Sequence, residues 1–265
     1  YLKVLDLRDN NIKAKGLKEL FDAIKELEGI EELHLKNCSI NAEEAKFISD
    51  SIKGKKALSV LDFNFSSFRK EDIQYFLNSI YGLTEIKELY LNRTNIQNEC
   101  IEMLVNVLKD KKSIQVLDLG NNDLNSKISK SLGILFQNMQ NMRELYIQNN
   151  MVGNDEFKYI AESLNKMCKL EVLNLSGIRL TSEGAKHLFN NLKYHKTLKN
   201  LNLKSNLFEN DDGSEKKKKM VEHLNSLEKI DLRENIIGNN AIDILSNCLE
   251  KVNILNILLE QLKIN

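Results

Sequence analysis

The chain has 265 residues, and 38 Lys plus Arg are balanced by 38 Asp plus Glu. This balance gives no net basic field of the kind that favours nucleic acid or an anionic membrane surface. The content of 42% hydrophobic and 29% charged residues is that of a folded protein. No apolar run reaches the roughly 20 residues of a membrane-spanning helix, so we expect neither nucleic acid nor membrane as a partner.

A ten-residue pattern of apolar positions closed by an asparagine dominates the chain. It first occurs as Leu2, Leu5, Leu7, Asn10 and Ile12. It returns in steps of 28 residues through the first eight occurrences, then after 29 and after 27 residues. The pattern begins at Leu2, Ile30, Leu58, Ile86, Ile114, Met142, Leu170, Leu198, Leu227 and Ile254.

Each period predicts a strand, a turn and a helix. Leu5 and Leu7 alternate with polar residues, as in a half-buried strand, and the Asn10 side chain can satisfy backbone groups in the following turn. An apolar stripe at helical spacing comes next, formed by Leu17, Leu20, Ile24 and Leu27. One unit cannot bury its own apolar face, so we expect neighbouring units to stack and share a core.

This pattern resembles the leucine-rich repeat, L-x-x-L-x-L-x-x-N/C-x-L. The 28-residue length and the helical second half are similar to the ribonuclease-inhibitor-like subclass, which includes Ran GTPase-activating proteins and the sensor domains of NOD-like receptors. The resemblance spans residues 1–265 as a single array of about nine full repeats and a partial tenth. It implies an α/β solenoid, a curved horseshoe with parallel strands on the concave face and helices on the convex face. The chain begins and ends inside the pattern, so we expect it to be a fragment of a longer protein.

A second period of 56 residues lies above the first. The residue before the second motif Leu alternates between Val and Glu, from Val4 and Glu32 to Glu144 and Val172. Two explanations stay open: duplication of a paired ancestor, or rows of Asp and Tyr that line a partner-binding surface. The residue after that Leu runs Asp6, His34, Asp62, Tyr90, Asp118, Tyr146 and Asn174.

Three places depart from the repeat. Ile178 takes the asparagine position of the seventh repeat, which predicts a locally altered turn helped by Gly177. Phe65 stands at a strand end that should be exposed, where it either packs against the rim or contacts a partner. Residues 209–220 place acidic residues before four lysines. We expect a loop and a shortened helix there, either solvated or used for docking.

Strand side chains alternate between two faces, so the variable strand positions predict a binding surface on the concave face. Tyr90 and Tyr146 are two repeats apart, or roughly 10 Å at strand spacing, and Tyr and Arg are enriched at interface hot spots. We therefore expect a protein partner; Asn64, Asn202 and Asp231 share this face. The candidate binding residues are Asp6, Arg8, His34, Lys36, Asp62, Phe65, Tyr90, Asn92, Asp118, Tyr146, Gln148, Asn174, Lys204 and Arg233.

The sequence offers little chemistry. There is no glycine-rich phosphate loop, no nucleophile elbow and no cluster with metal-ligand spacing, so we expect no catalysis, no cofactor and no metal. The cysteines are far apart, which predicts buried reduced thiols and an intracellular compartment. They are Cys38, Cys100, Cys168 and Cys248.

The function that these observations favour is a non-catalytic protein–protein interaction scaffold. We expect a cytoplasmic module of a larger assembly, such as a ciliary or other cytoskeletal complex. Two alternatives follow from the resemblance. A GTPase-activating protein of the Ran type would accelerate GTP hydrolysis by Ran in a single-turnover assay, and the ligand-sensing domain of a NOD-like receptor would follow a nucleotide-binding domain.

Overall fold

A computed structural model of the chain describes residues 2–12, 14–38, 40, 42–66, 68–154, 156–192, 195–208, 226–235 and 256–258. From residue 4 to residue 202 strands and helices alternate, as the repeat predicts. The strands are β1 (Val4–Asp6), β2 (Glu32–His34), β3 (Val60–Asp62), β4 (Glu88–Tyr90), β5 (Val116–Asp118), β6 (Glu144–Tyr146), β7 (Val172–Asn174), β8 (Asn200–Asn202), β9 (Lys229–Asp231) and β10 (Asn256–Leu258). The α-helices are α1 (Ala14–Lys25), α2 (Ala42–Ile52), α3 (Lys70–Tyr81), α4 (Asn98–Leu108), α5 (Ser129–Gln137), α6 (Phe157–Leu164) and α7 (Ser182–Leu192).

Contacts divide the chain into two compact units, Tyr1–Asp123 and Leu124–Asn265. In the first unit β1 to β5 pair in parallel in chain order, with the central leucines of neighbouring strands opposite each other. In the second unit β6 to β10 pair in the same way. Leu201 pairs with Ile230, so the 29-residue step leaves the register intact. A single array over residues 1–265 stays a prediction.

The core of each unit lies between its strands and its helices. In the first repeat α1 buries Leu17, Phe21 and Ile24, each at most 2% exposed. In the third repeat Phe63 and Phe68 are buried, and Phe76 of α3 packs against them with ring centroids 4.6 and 4.9 Å away. Each described helix thus adds an apolar stripe to the layer between strands and helices, and each strand from β2 to β9 adds a buried central Leu or Ile.

A buried side-chain ladder follows the strands. Asn122, 1% exposed, donates from Nδ2 to the carbonyls of Leu91 in the preceding repeat and Leu119 in its own. Its Oδ1 accepts the N–H groups of Thr94 and Ile96 at 3.1 Å. One amide therefore satisfies the turn backbone of two consecutive repeats, which would otherwise be buried without partners. The ladder residues are Asn10, Cys38, Ser66, Thr94, Asn122, Asn150, Ile178, Asn206 and Asn235.

Smaller side chains serve the ladder in the second to fourth repeats. Ser66 Oγ donates to the Leu35 carbonyl at 2.8 Å, and Thr94 Oγ1 donates to the Leu91 carbonyl at 2.7 Å. The Cys38 thiol lies 3.2 Å from the carbonyl of the first repeat's Leu7. Cys, Ser and Thr therefore also make hydrogen bonds to the turn at this position.

The prediction of an altered turn at Ile178 is wrong. Gly177 has φ 62°, and the equivalent non-glycine residues have φ between 52° and 62°. Its N–H donates to the Lys204 carbonyl at 2.8 Å, as that of Asn149 does to the Ser176 carbonyl. Backbone hydrogen bonds between repeats and the left-handed residue fix this turn, so Ile178, which is fully buried, replaces the amide without changing it.

Two buried lysines close helix ends. Lys55 Nζ donates to the carbonyl of Lys25, the last residue of α1, at 2.6 Å. Lys111 Nζ donates to the carbonyls of Tyr81 and Leu83 at the end of α3. Both lysines satisfy carbonyls that a helix leaves unpaired at its C-terminus, where a cation also complements the helix dipole. They lie 56 residues apart, so the second period extends to the helices.

Among the cysteines, Cys38 and Cys100 are buried free thiols, as predicted. Cys168 is exposed, which corrects the prediction for that residue. It lies in the surface connection between α6 and β7, outside the shared core. Cys248 and the predicted loop at 209–220 lie outside the described residues.

The ladder leads to a first prediction. Asn122→Ala should lower the free energy of unfolding by about 2–4 kcal/mol, because it leaves several buried backbone groups without partners. Urea unfolding followed by circular dichroism measures this loss.

The matched control is Asn10→Ala, because Asn10 is exposed and, among the described residues, its side chain bonds only the carbonyls of Leu7 and Arg8. Its loss should be a small fraction of that at Asn122. Equal losses at both positions would contradict the role assigned to the buried ladder.

Candidate protein-binding site

The strand face is the surface formed by the first and third residues of each strand and by the second residue after it. The central residues point the other way: Leu33 and Leu89 are fully buried, while their flanking residues in β2 and β4 are half-buried. All the predicted binding residues except Phe65 belong to the strand face.

In six repeats the third strand residue is Asp or Asn, and its side chain holds the turn. The oxygen accepts the N–H of the residue two positions on, which is a local turn motif typical of these residues. Its carboxylate or carboxamide oxygen is thus committed to the backbone. The pairs are Asp6 with Arg8, Asp62 with Asn64, Asp118 with Gly120, Asn174 with Ser176, Asn202 with Lys204, and Asp231 with Arg233, at 2.9 to 3.1 Å.

In the second, fourth and sixth repeats the third strand residue bonds a glutamate instead. The hydroxyl of Tyr90 donates to Glu88 Oε2 at 2.8 Å, and that of Tyr146 donates to Glu144 Oε2 at 2.6 Å. His34 makes the corresponding contact with Glu32 at 3.1 Å. The alternation of Val and Glu therefore has a physical basis, because only a repeat with Tyr or His needs the glutamate beside it.

The strand face of the first unit is largely paired within itself. Asp62, Asn92 and Asp118 are only 6 to 8% exposed. Asn92 Nδ2 donates to both carboxylate oxygens of Asp118, and its N–H donates to Asn64 Oδ1. These predicted binding residues are therefore brought together, but most of their hydrogen-bonding capacity is used inside the unit.

Two carboxyls of this face have opposite electrostatics. Hydrogen bonds from the Arg8 side chain and N–H lower the pKa of the exposed Asp6 to about 2. Burial raises the pKa of Asp62, and the hydrogen bond from the Asn64 N–H offsets only part of that rise. The ion pair of Asp6 and Arg8 is solvated and the buried carboxyl is not, so the two respond oppositely to pH.

Phe65 is the exposed aromatic residue that the sequence predicted at the strand end. It is 43% exposed, and the Lys36 ammonium lies 5.7 Å from its ring centroid. Its φ is 62°, a left-handed conformation that is costly for a bulky side chain. The turn imposes this conformation, since Asn37 and Asn121 adopt it at the equivalent positions. Phe65 thus combines strain with exposure, which packing inside the unit does not explain.

A groove of about 270 Å³ opens on the strand face of the second unit. We call it the amide groove, because three carboxamides border it. It crosses β6 to β9, where strands are about 4.8 Å apart. Its polar and aromatic lining consists of Tyr146, Asn174, Asn200, Asn202, Lys229 and Asp231.

Ion pairs flank the amide groove. The guanidinium of Arg233 is bidentate with the Asp231 carboxylate, and Lys204 pairs with Glu234 at 2.9 Å. Burial by itself would raise the pKa of Asp231, but hydrogen bonds from Arg233 outweigh it and the pKa is lowered. Gln148 is half-buried on the same face. Four predicted residues of this unit thus lie in or beside one groove: Tyr146, Asn174, Lys204 and Arg233.

The two tyrosines of the predicted row belong to different units. Tyr90 lies in the first unit and Tyr146 in the second. Each is half-buried and bonded to its own glutamate. The separation of roughly 10 Å stays a prediction.

Sequence reasoning missed five residues of this face: Glu32, Glu88, Glu144, Asn200 and Lys229. A signal for the glutamates was present, because each stands two residues before a histidine or tyrosine and so shares its strand face. Asn200 marks the point where the alternation of Val and Glu stops. Lys229 had no such signal, since its place in the groove depends on β8 beside it.

Within the described ranges, no group of three or more His, Cys, Asp or Glu side chains is placed to hold a metal ion. Of the helices in the same part of the chain, none has the length and apolarity that crossing a bilayer requires. The absence of catalysis and of a cofactor stays a prediction.

Comparisons with known proteins agree with this geometry. A family model described as Leucine Rich repeat matches residues 1–21. Internalin C2 from Listeria monocytogenes is similar over 93% of this chain and 91% of its own, with 18% identity and a TM-score of 0.61. A leucine-rich-repeat protein of Leptospira interrogans is similar over 97% of this chain and 72% of its own, with 17% identity and a TM-score of 0.55.

No curated protein matches the chain in sequence. The structural likenesses confirm the predicted fold class: parallel strands alternating with helices in a leucine-rich-repeat solenoid. At this level of identity they define the fold alone. The ribonuclease-inhibitor-like subclass stays a prediction, as do the two alternative functions.

Phe65 gives a second prediction. Phe65→Asn should raise the free energy of unfolding by about 0.5–1 kcal/mol, because Asn tolerates the left-handed conformation that Phe resists. Phe65→Leu keeps an apolar side chain with the same strain and should give no gain. Equal stabilities of both variants in urea unfolding would show that the strain is negligible.

The two carboxyls give a third prediction, which uses the variants Asp62→Asn and Asp6→Asn. Both variants keep the hydrogen bond to the turn, because Asn makes the same bond at positions 174 and 202. Burial raises the pKa of Asp62 in the folded protein, so ionisation of this carboxyl destabilises the fold. This loss of stability develops as pH rises from the ordinary pKa of Asp through the folded-state pKa. Asp62→Asn should therefore be more stable than wild type near neutral pH and lose this advantage in acid.

Asp6 has the opposite sign. Its pKa falls from 3.8 to about 2 on folding, so it stabilises the protein above pH 3.8, and that contribution is lost as pH falls toward 2. Asp6→Asn should be less stable than wild type near neutral pH, with the deficit disappearing in acid. Urea unfolding across this pH range checks both signs, and equal signs would refute the assignment.

Proposed function

We propose that the protein is a non-catalytic interaction scaffold that binds a protein partner through its strand face. The observation that carries this proposal is Phe65, a large aromatic side chain that is exposed at an unfavourable φ. Aromatic side chains that stay exposed at a conformational cost are typical of contact sites. The polar lining of the amide groove supports the same conclusion, since protein interfaces combine aromatic anchors with polar surroundings.

The partner is a protein rather than a nucleic acid or a membrane. Equal numbers of acidic and basic residues support this, because nucleic acid favours a basic stripe. On the described strand face, Arg8 and Arg233 are bonded to neighbouring carboxylates. A phosphate backbone would compete with those carboxylates for each guanidinium.

In this proposal the scaffold acts inside the cell as a module of a larger assembly, such as a ciliary or other cytoskeletal complex. Free thiols at Cys38, Cys100 and Cys168 agree with a reducing compartment. The 28-residue repeat and helices of 8 to 12 residues support the ribonuclease-inhibitor-like subclass.

A fourth prediction tests the binding face. Tyr90→Ala and Tyr146→Ala, made singly in the tagged chain, should each reduce recovery of the native partner several-fold, because buried aromatic anchors dominate binding energy. Quantitative mass spectrometry of proteins captured from native cells measures recovery. Thermal unfolding of each variant shows whether the fold is retained.

The matched control is Tyr81→Ala, which removes the same side chain from α3, where it is 70% exposed. Its recovery should equal that of wild type. Loss with Tyr81→Ala alone would move the binding site to the helices, and unchanged recovery with all three variants would overturn the proposal for these surfaces.

A further inference from the structure

Two carboxamides in the amide groove are oriented by the backbone. Asn174 Oδ1 accepts the N–H of Ser176 at 3.1 Å and its hydroxyl at 2.9 Å. Asn202 Oδ1 accepts the N–H of Lys204 at 3.0 Å. Because the oxygen is taken, each NH2 group must point away from the turn. In the described part of the chain, neither Nδ2 has a hydrogen-bond partner.

The turn does not require asparagine at these positions. Asp6, Asp62, Asp118 and Asp231 make the same bond to the backbone in other repeats. The residues differ only in the second atom, which is an anionic acceptor in Asp and a neutral donor in Asn. Asn174 and Asn202 pair across β7 and β8, so the face there presents two adjacent donors where the four repeats with Asp present a carboxylate.

Two further donors line the same groove. Asn200 and Lys229 are opposite each other across β8 and β9. Neither side chain has a hydrogen bond or an ion pair to a described residue, and Lys229 is exposed. The acidic groups beside them are occupied: Asp231 is bidentate with Arg233, and Glu144 accepts from Tyr146. Counting described residues only, the groove therefore offers a ligand three amide groups and one ammonium without an ion pair.

We propose that the amide groove binds an acidic side chain, Asp or Glu, carried by an extended segment of the partner protein. A carboxylate accepts several hydrogen bonds at once and forms its strongest ones with a cation. The volume of about 270 Å³ suits one or two side chains and is small for a whole ligand. This inference rests on the proposed scaffold function and names what the strand face recognises.

The test uses side-chain amide signals in nuclear magnetic resonance of the labelled full chain at neutral pH. The probe is a hexaglutamate peptide with acetylated and amidated ends, so that every carboxylate is a side chain. The signals of Asn174, Asn200 and Asn202, assigned by substitution, should shift in a saturable way. Hexaglutamine and hexalysine peptides with the same blocked ends should leave them unchanged.

Matched variants separate charge from fold. Asn174→Asp with Asn202→Asp keeps both turn bonds but turns two donors into anionic acceptors, so hexaglutamate affinity should fall at least about tenfold. The control, Asn106→Asp with Asn190→Asp, adds the same charge on exposed helix positions and should bind as wild type does. Lys229→Gln should also weaken binding, and added salt should weaken it in wild type.

Several results would overturn the inference. The first is that the groove signals do not move with hexaglutamate. The second is that hexaglutamine moves them equally, which would indicate binding of the peptide backbone. The third is that they move only with a hexaglycine peptide that has a free C-terminal carboxylate, or more strongly with a hexathymidylate, which would indicate a chain terminus or a phosphate as the ligand. Partner recovery with the tyrosine variants is read separately, so the scaffold proposal can survive the failure of this one.

Discussion

The structure depends on one constraint: the turn after each strand buries backbone groups that its own repeat cannot pair. The following repeat supplies the partners, as when the Asn149 N–H donates to the Ser176 carbonyl. The ladder side chains complete the pairing, and Asn122 bonds backbone groups of two repeats at once. Since an unpaired buried backbone group costs about 1–3 kcal/mol, a repeat is stable only beside its neighbour. This is the physical origin of the constant register.

The same constraint shapes the strand face. Where the third strand residue is Asp or Asn, its oxygen caps the turn. Tyr90 and Tyr146 cannot do so, and a glutamate on the same face engages their hydroxyls instead. The buried ammonium of Lys111 repeats this logic at a helix end. The 56-residue period therefore reflects two ways of satisfying polar groups. This pairing agrees both with duplication of a paired ancestor and with a partner-binding surface.

The sequence was sufficient for the register, because a strand leucine and a helix stripe must face one core whatever the other residues are. It failed where the answer depends on a neighbouring repeat. Ile178 suggested a distorted turn, but the turn is held by backbone bonds to the next repeat. Asp62 looked like an exposed binding residue and is 8% exposed, because adjacent strands cover it. The amide groove could not be predicted from the sequence for the same reason, since Lys229 lines it only because β9 pairs with β8.

On this face the Asp or Asn that caps each turn contributes to stability and to recognition through different atoms. Asp and Asn satisfy the backbone equally with one oxygen, so the fold places no demand on the second atom. A strand-face row can therefore change from anionic acceptor at Asp231 to neutral donor at Asn202 without altering the turn. Phe65 shows the opposite arrangement, in which an exposed side chain does strain its turn. Phe65 strains its turn, and the amide nitrogen of Asn202 is not required by the turn. Both residues are informative about binding, because packing within the unit explains neither of them.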